Sequence, residues 1–251
     1  MKYAILSDIH ANPIAFETVL KDAKDQDVDQ VICLGDITGY GYDVVTSYEL
    51  AKNNCDELLL GNHETACVGI EPEIFTRENP NYDFDIKQRR ELGQDRLAEI
   101  RKLPYTFSNQ FFSCTHGSFL LPEMFNYILT FEDAQINFAI TDKKLMFIGH
   151  THQAKVWILN PDGTIVIKGL GAFGMVEGCR YIVNVGSVGY PRNDSFSSYA
   201  VFDSSTGVID LRRLDFDITS YIKSFAEREL QPPQWINTRK KFHRKLSVKR
   251  N

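Results

Sequence analysis

Five of the six histidines in this 251-residue chain stand in short strings that also hold aspartate, asparagine and glycine. They are His10 in Ser7-Asp8-Ile9-His10, His63 in Gly61-Asn62-His63-Glu64, His116 in Thr115-His116-Gly117, and the pair His150 and His152 in Gly149-His150-Thr151-His152. Gly35-Asp36 lies between the first two strings. Imidazoles, carboxylates and an amide form a nitrogen and oxygen donor set large enough for two divalent metals. Two metals held this way point to phosphoester hydrolysis. Because His150 and His152 are two residues apart, an extended backbone turns both rings to one side. Gly61-Asn62-His63-Glu64 places an amide, an imidazole and a carboxylate consecutively in a turn.

Each string follows an apolar, strand-like run. Tyr3 to Leu6 precedes Asp8, Val31 to Leu34 precedes Asp36, and Leu58 to Leu60 precedes Asn62. Between them the pattern predicts a helix over 14–24, with Asn12 as N-cap and Pro13 in the first position, and a helix over 44–53 capped by Asp43. Strand, helix, strand, helix, strand implies parallel strands joined by right-handed crossovers. Polar residues released at the C-terminal ends of such strands lie along one rim, where open α/β sheets bind ligands.

Farther along, a helix over 86–101 stops before Pro104, and strands over 111–114 and 145–148 run into His116 and His150. A hairpin over 155–168 turns at Asn160-Pro161-Asp162-Gly163. A strand over 181–185, a second hairpin over 198–202 and 208–214, and a helix over 218–230 complete the pattern, and the antiparallel pairs imply a second sheet. The turn formers of 68–86 read as an inserted lid, and the four glycines of 169–178 as a flexible loop. The expected organisation is one domain over 1–230 followed by a basic tail over 231–251.

Composition is that of an ordinary globular protein, with 43% hydrophobic and 24% charged residues. Five cysteines without a CxxC pair favour reduced thiols and a cytoplasmic location. No apolar run reaches the ~18 residues that a membrane span needs. Net charge is −5, but seven of the 28 lysines and arginines crowd into 239–251, where there is no acid. The rest of the chain is strongly acidic, which argues against nucleic acid as partner and requires metals to offset a polyanionic substrate.

The strings SDIHAN, GDITGYG, GNHE, THG and GHTH, in this order, resemble those of the calcineurin-like metallophosphoesterases over residues 3 to about 192. Gly-Asp-Ile-Thr-Gly-Tyr-Gly and the later Asn184 to Arg192 resemble the small prokaryotic phosphodiesterase branch. The resemblance implies a four-layer α/β/β/α sandwich, in which two mixed β-sheets are flanked by helices. It implies a first metal on Asp8, His10, Asp36 and His152 and a second on Asp36, Asn62, His116 and His150, with Asp36 bridging. The cofactors it implies are two divalent transition metal ions, with manganese favoured over iron, nickel, cobalt or zinc. His63 is then no ligand: it serves the leaving group, and Glu64 orients it. A hydroxide bridging the metals attacks phosphorus, and His63 protonates the departing oxygen.

Arg192 is a candidate phosphate contact, since a guanidinium matches phosphate geometry, or else a surface arginine. Asn12 and Asn62 are further candidate substrate contacts, although Asn12 reads first as a helix cap. Tyr40 and Tyr42 are placed either to stack on a nucleobase or to pack in a glycine-rich turn. The expected partner is a small phosphoester or nucleotide, with a homo-oligomer left open. A dinucleoside polyphosphate hydrolase using the same centre is the alternative activity. A non-catalytic platform of the same fold ranks below both, because the ligand set is complete.

Overall fold

In the computed structural model, β1 (Lys2–Leu6) is buried on both faces, as a continuous apolar run must be when layers cover both sides of a sheet. The described residues are 1–70, 82–192 and 196–232, with the side chains of 82–85 outside that description. After β1 come α1 (Pro13–Asp25), β2 (Gln30–Cys33), α2 (Val44–Asn54), β3 (Glu57–Leu58), α3 (Asn62–Val68) and α4 (Tyr82–Ile100). Asn12 caps α1 by accepting from the Ala15 amide, and Asp43 caps α2 through the Thr46 amide. Helix α4 is broken at Gly93, whose φ of 73° is not helical.

The second half contributes β4 (Thr106–Ser108), β5 (Ser113–Thr115), α5 (Phe131–Ile140), β6 (Leu145–Ile148), β7 (Lys155–Leu159), β8 (Ile165–Lys168) and β9 (Gly171–Gly174). It ends with β10 (Arg180–Asn184), β11 (Ser197–Asp203), β12 (Val208–Leu214) and α6 (Ile218–Glu227).

The strands form two six-stranded mixed sheets, in the orders β3-β2-β1-β11-β12-β9 and β4-β5-β6-β10-β7-β8. β1, β2 and β3 are parallel neighbours in the first sheet, and β5, β6 and β10 in the second. Three apolar clusters glue the layers. Ile5, Ile32, Phe112, Phe147, Val183 and Phe202 fill the space between the sheets. Phe16, Val19, Tyr48, Leu97 and Phe225 join the first sheet to its helices, while Phe138, Met146 and Trp157 join the second to α5. This is the expected four-layer arrangement, with two mixed sheets inside and helices outside.

Two expectations change. Residues 171–174 are not a flexible loop: they form β9, antiparallel to β12 from Val208↔Gly174 to Leu211↔Gly171. A ladder needs only backbone donors and acceptors, and β12 offers an edge, so glycines suffice. Helices α3 and α5 were not expected at all. Most of the expected lid at 68–86, and nearly all of the basic tail at 231–251, lie outside the described residues. No described helix is long and apolar enough to cross a membrane. All five cysteines carry free thiols.

Candidate metal centre

The loops that follow the parallel strands of the two sheets meet at one edge of the sandwich. The His150 amide donates to Asp8 Oδ2 at 3.0 Å, tying the loop after β6 to the loop after β1. The Asp8 amide donates to the Gly35 carbonyl at 3.0 Å, and the Gly149 amide to the His116 carbonyl at 2.8 Å. The approach leaves no room for side chains at the glycines. A Cβ on Gly149 would lie 2.1 Å from Ser7 Oγ, and one on Gly61 would lie 2.2 Å from Asp36 Oδ1.

The backbone there is strained. Asp8, His10, Asp36, His150 and His152 all have φ between 49° and 64°, a left-handed region uncommon for residues other than glycine. Each such residue costs on the order of 1–3 kcal/mol and persists only where its surroundings impose it. Five strained residues of the same donor set mark the edge as functional rather than merely structural.

Three groups of donor atoms gather within 4.8 Å of one another: Asp8, His10 and His152; His10, Asp36 and His63; and Asp36, His116 and His150. Asp36 joins them, since its Oδ2 lies 3.7 Å from His10 Nε2 and 3.2 Å from His116 Nε2. Its other oxygen accepts from the His63 amide at 3.0 Å.

Each of three rings is oriented by a carbonyl behind it. His10 Nδ1 donates to Thr38 O at 2.9 Å, His116 Nδ1 to Leu34 O at 3.2 Å, and His152 Nδ1 to Tyr190 O at 2.5 Å. That choice of tautomer leaves Nε2 as a lone pair aimed into the centre, as metal ligation requires.

The donor chemistry suits divalent metal ions. His10 Nε2 and His152 Nε2 stand 3.1 Å apart, as do His116 Nε2 and His150 Nδ1. Two facing imidazole lone pairs call for a proton or a metal between them. Among the described residues Asn62 Oδ1 is buried without a hydrogen-bond partner, and Asp8 Oδ1, equally buried, faces the ring nitrogens of His152 and His10 at 3.1 and 3.6 Å. Unpaired buried oxygens are costly unless a ligand is to occupy them.

The charges are strongly coupled. Burial alone would raise both aspartates, but the histidines outweigh it and hold Asp8 and Asp36 well below the usual carboxylate range. Burial likewise works against a charged His116, yet the Asp36 carboxylate beside it lifts its pKa to about 9. Burial lowers His10 to about 4 and His150 to about 3, keeping both rings neutral and ready to bind metal.

Other expected residues are placed differently. The Glu64 carboxylate is held by backbone amides. Its Oε2 accepts from the amides of Asp36 at 2.6 Å and Gly61 at 2.9 Å, and its Oε1 from Thr38 at 2.9 Å. At 0% exposure it splints two loops through these three amides. Asn12 is fully buried too. Its oxygen caps α1, and its nitrogen donates to Gly189 O at 3.0 Å, which is the helix-cap role. Tyr42 packs on Tyr221 and Phe225, away from the centre.

His63 sits on α3 with its ring 5.1 Å from His10 and 4.7 Å from Tyr40, centre to centre. A Cβ on Gly39, whose φ is +86°, would lie 2.4 Å from His63 Nδ1, so the glycine clears space for that ring. Gln88 of α4 holds the loop in place, accepting from Gly39 N at 2.6 Å and donating to Gly41 O at 3.1 Å. Gln88 had no motif to reveal it. Nor had Tyr127, whose ring stacks on His150 at 4.0 Å and 10°. Arg192 is exposed two residues after Tyr190, whose carbonyl accepts from His152 Nδ1.

Residues 1–207 match the model of the calcineurin-like phosphoesterase superfamily domain. The chain is similar to a metallophosphoesterase from Sphaerobacter thermophilus, with 30% identity, a TM-score of 0.80, and coverage of 94% of this chain and 97% of that one. An uncharacterized protein of Methanocaldococcus jannaschii is 27% identical over 243 residues, 94% of this chain and 96% of the relative. A hypothetical protein from Pyrococcus horikoshii OT3 shares the fold at 16% identity, with a TM-score of 0.71 and coverage of 94% and 96%.

Proposed function

The chain belongs to the calcineurin-like phosphoesterase superfamily, and from that premise we propose that it is a phosphodiesterase or phosphatase working through two divalent metal ions. The observation that carries this reading is Asp36. One of its oxygens faces both His10 and His116, at 3.7 and 3.2 Å, so a single carboxylate is shared by two donor groups. Two cations in such a site need a shared anion to offset their repulsion.

Asp8, His10, Asp36 and His152 would hold one ion, and Asp36, Asn62, His116 and His150 the other, with manganese the first metal to try. When bound, the ions supply Lewis acidity and an acidified water near neutral pH. The chain supplies the rest. His63 is the proton donor to the departing oxygen. Its backbone amide fixes the free oxygen of Asp36, which ties proton donor and bridging carboxylate into one rigid unit. Glu64 holds that unit from behind through the amides of Asp36 and Gly61. With His63 only 4% exposed, the substrate class this reading favours is a small phosphoester or nucleotide.

The test is hydrolysis of bis(p-nitrophenyl) phosphate by Mn²⁺-loaded protein, with EDTA abolishing it. His63→Ala retains two metals and loses most turnover. Loss of the metals in that variant would show that His63 is a ligand, as its proximity to His10 and Asp36 also allows. No hydrolysis with any transition metal would favour a binding platform. Cyclic nucleotides, dinucleoside polyphosphates and phosphomonoesters, assayed side by side, would identify the substrate class.

A further inference from the structure

A small slot opens beside the donor set, with His152 at one end of its wall. Ala154, Leu170, Pro191 and Phe196 make most of that wall apolar, and the slot holds about 240 Å³ of space, its open mouth included. The chain ties it to the donor set twice. Ala154 stands two residues after His152, and Pro191 follows Tyr190, whose carbonyl accepts from His152 Nδ1.

The floor is closed by a glycine. Gly186 has a φ of +78°, and a Cβ there would lie 2.0 Å from Ser198 Oγ and 3.0 Å from Ala154 Cβ. Ser198 on β11 pairs directly with Arg213 on β12, so both side chains rise from the same face of the sheet, and both line the slot. The Arg213 guanidinium lies over the Phe196 ring, 3.1 Å from its centre. Among the described residues Arg213 makes no ion pair, so its partner is an aromatic face in a chain rich in carboxylates. Pro191 and Ser198 are buried, Phe196 is half-buried, and Leu170 and Arg213 are exposed. The slot is therefore apolar at depth, with a flat delocalised cation at its rim.

That combination selects a ligand group. Apolar walls give nothing to a sugar hydroxyl or a second phosphate, whereas aromatic rings stack on phenylalanine and on guanidinium planes alike. The volume is below the roughly 300 Å³ at which sites for whole drug-sized ligands begin, so it suits one ring system. We propose that this slot receives a planar aromatic group of the phosphoester, a heteroaromatic base or an aryl ring, while the donor set holds the phosphoryl end. The assignment rests on the phosphoesterase reading, but it is tested by binding without turnover.

Calorimetry of metal-loaded protein with phosphonates, whose C–P bond resists hydrolysis, is the measurement. Benzylphosphonate binds more tightly than ethylphosphonate by about 5- to 100-fold, the worth of stacking a ring on a protein aromatic. Phe196→Ala and Arg213→Ala each lower that ratio, and Ala154→Leu, which fills the slot, brings it close to one. Arg213 is exposed, so its removal spares the fold. A ratio near one in the wild type overturns the slot, as does a ratio that survives in both Phe196→Ala and Ala154→Leu. The 5′-methylene phosphonate analogue of AMP separates the two sources of the ring. A greater loss for it than for benzylphosphonate in Phe196→Ala assigns the slot to a base, and an equal or smaller loss assigns it to an aryl ester. Protein that shows the benzyl preference but hydrolyses no ester leaves the slot standing and sinks the phosphoesterase reading. Hydrolysis of bis(p-nitrophenyl) phosphate without the preference does the reverse.

Discussion

Replacing Glu64 by glutamine separates a loop splint from a catalytic orienter. The carboxylate accepts three backbone N–H groups: Asp36 and Gly61 on Oε2 at 2.6 and 2.9 Å, and Thr38 on Oε1 at 2.9 Å. The best amide orientation keeps its oxygen on Asp36 and Gly61 and turns its NH₂ toward the Thr38 N–H, donor against donor. One hydrogen bond to a charged group is lost, worth about 1.5–3 kcal/mol, and a buried unsatisfied donor adds about 1–3 kcal/mol. Against this, glutamine removes a buried charge whose pKa is already pushed up by desolvation and by Asp36. The net loss is about 2–4 kcal/mol, which for a domain of this size lowers Tm by roughly 5–12 °C. Thermal and urea unfolding of metal-free wild type and Glu64→Gln measure it without interference from bound metal. Glu64→Gln protein as stable as wild type, but with turnover abolished, would refute the splint and restore Glu64 as the partner of His63.

Further outcomes follow from the same geometry. Gly39→Ala drives a Cβ to 2.4 Å from His63 Nδ1 at a φ of +86°, so turnover falls at least about tenfold while metal content stays at two per chain; steady-state kinetics with metal analysis checks this. Gly149→Ala places a Cβ 2.6 Å from Asp8 Oδ2 and 2.1 Å from Ser7 Oγ, and metal analysis should show ions lost. Metal-free protein should be most stable at about pH 6.5. Above that pH the unfolded chain has released the proton that His116 keeps up to about 9, so its stabilisation is lost as pH rises through 9. Below it the unfolded chain takes up protons that buried His10 and His150 refuse until about 4 and 3, so stability is lost as pH falls toward those values. Urea midpoints across pH 4–9 that rise steadily would contradict this. Metal binding at pH 7 should also release about one proton, from His116, visible by calorimetry in buffers of different ionisation enthalpy.

The donor set was legible because ligation uses few residue types and places them at strand ends. Asp8, Asp36 and His150 each follow an apolar run that the sheets bury, so the pattern placed them at strand ends, while the grouping into ligand sets came from the order of the motifs. Helix α5 was hidden because its pattern is inverted. Phe131, Ile136 and Ile140 face solvent while Asn137 is buried, where Ser118 Oγ and the Phe119 amide donate to it. Its Thr130–Asp133 capping box was the one readable signal. Helix α3 is buried at every position, so no apolar stripe distinguishes it. β9 reads as a loop because its glycines contribute backbone only. Asn12 caps α1 as its place before Pro13 predicts, and Glu64 satisfies three backbone amides, a use of the residue that its motif does not announce. Gln88, Tyr127 and the left-handed backbone of the ligands arise from contacts between segments far apart in the chain, which no local pattern encodes.

The central claim is that one carboxylate, Asp36, is shared between two metals. Electron paramagnetic resonance of the protein titrated with Mn²⁺ tests it most directly. Two ions about 3.5–4 Å apart should give an exchange-coupled signal that grows until two equivalents are bound and is replaced by isolated-ion spectra in Asp36→Asn. A single isolated-ion spectrum saturating at one equivalent in the wild type would contradict it.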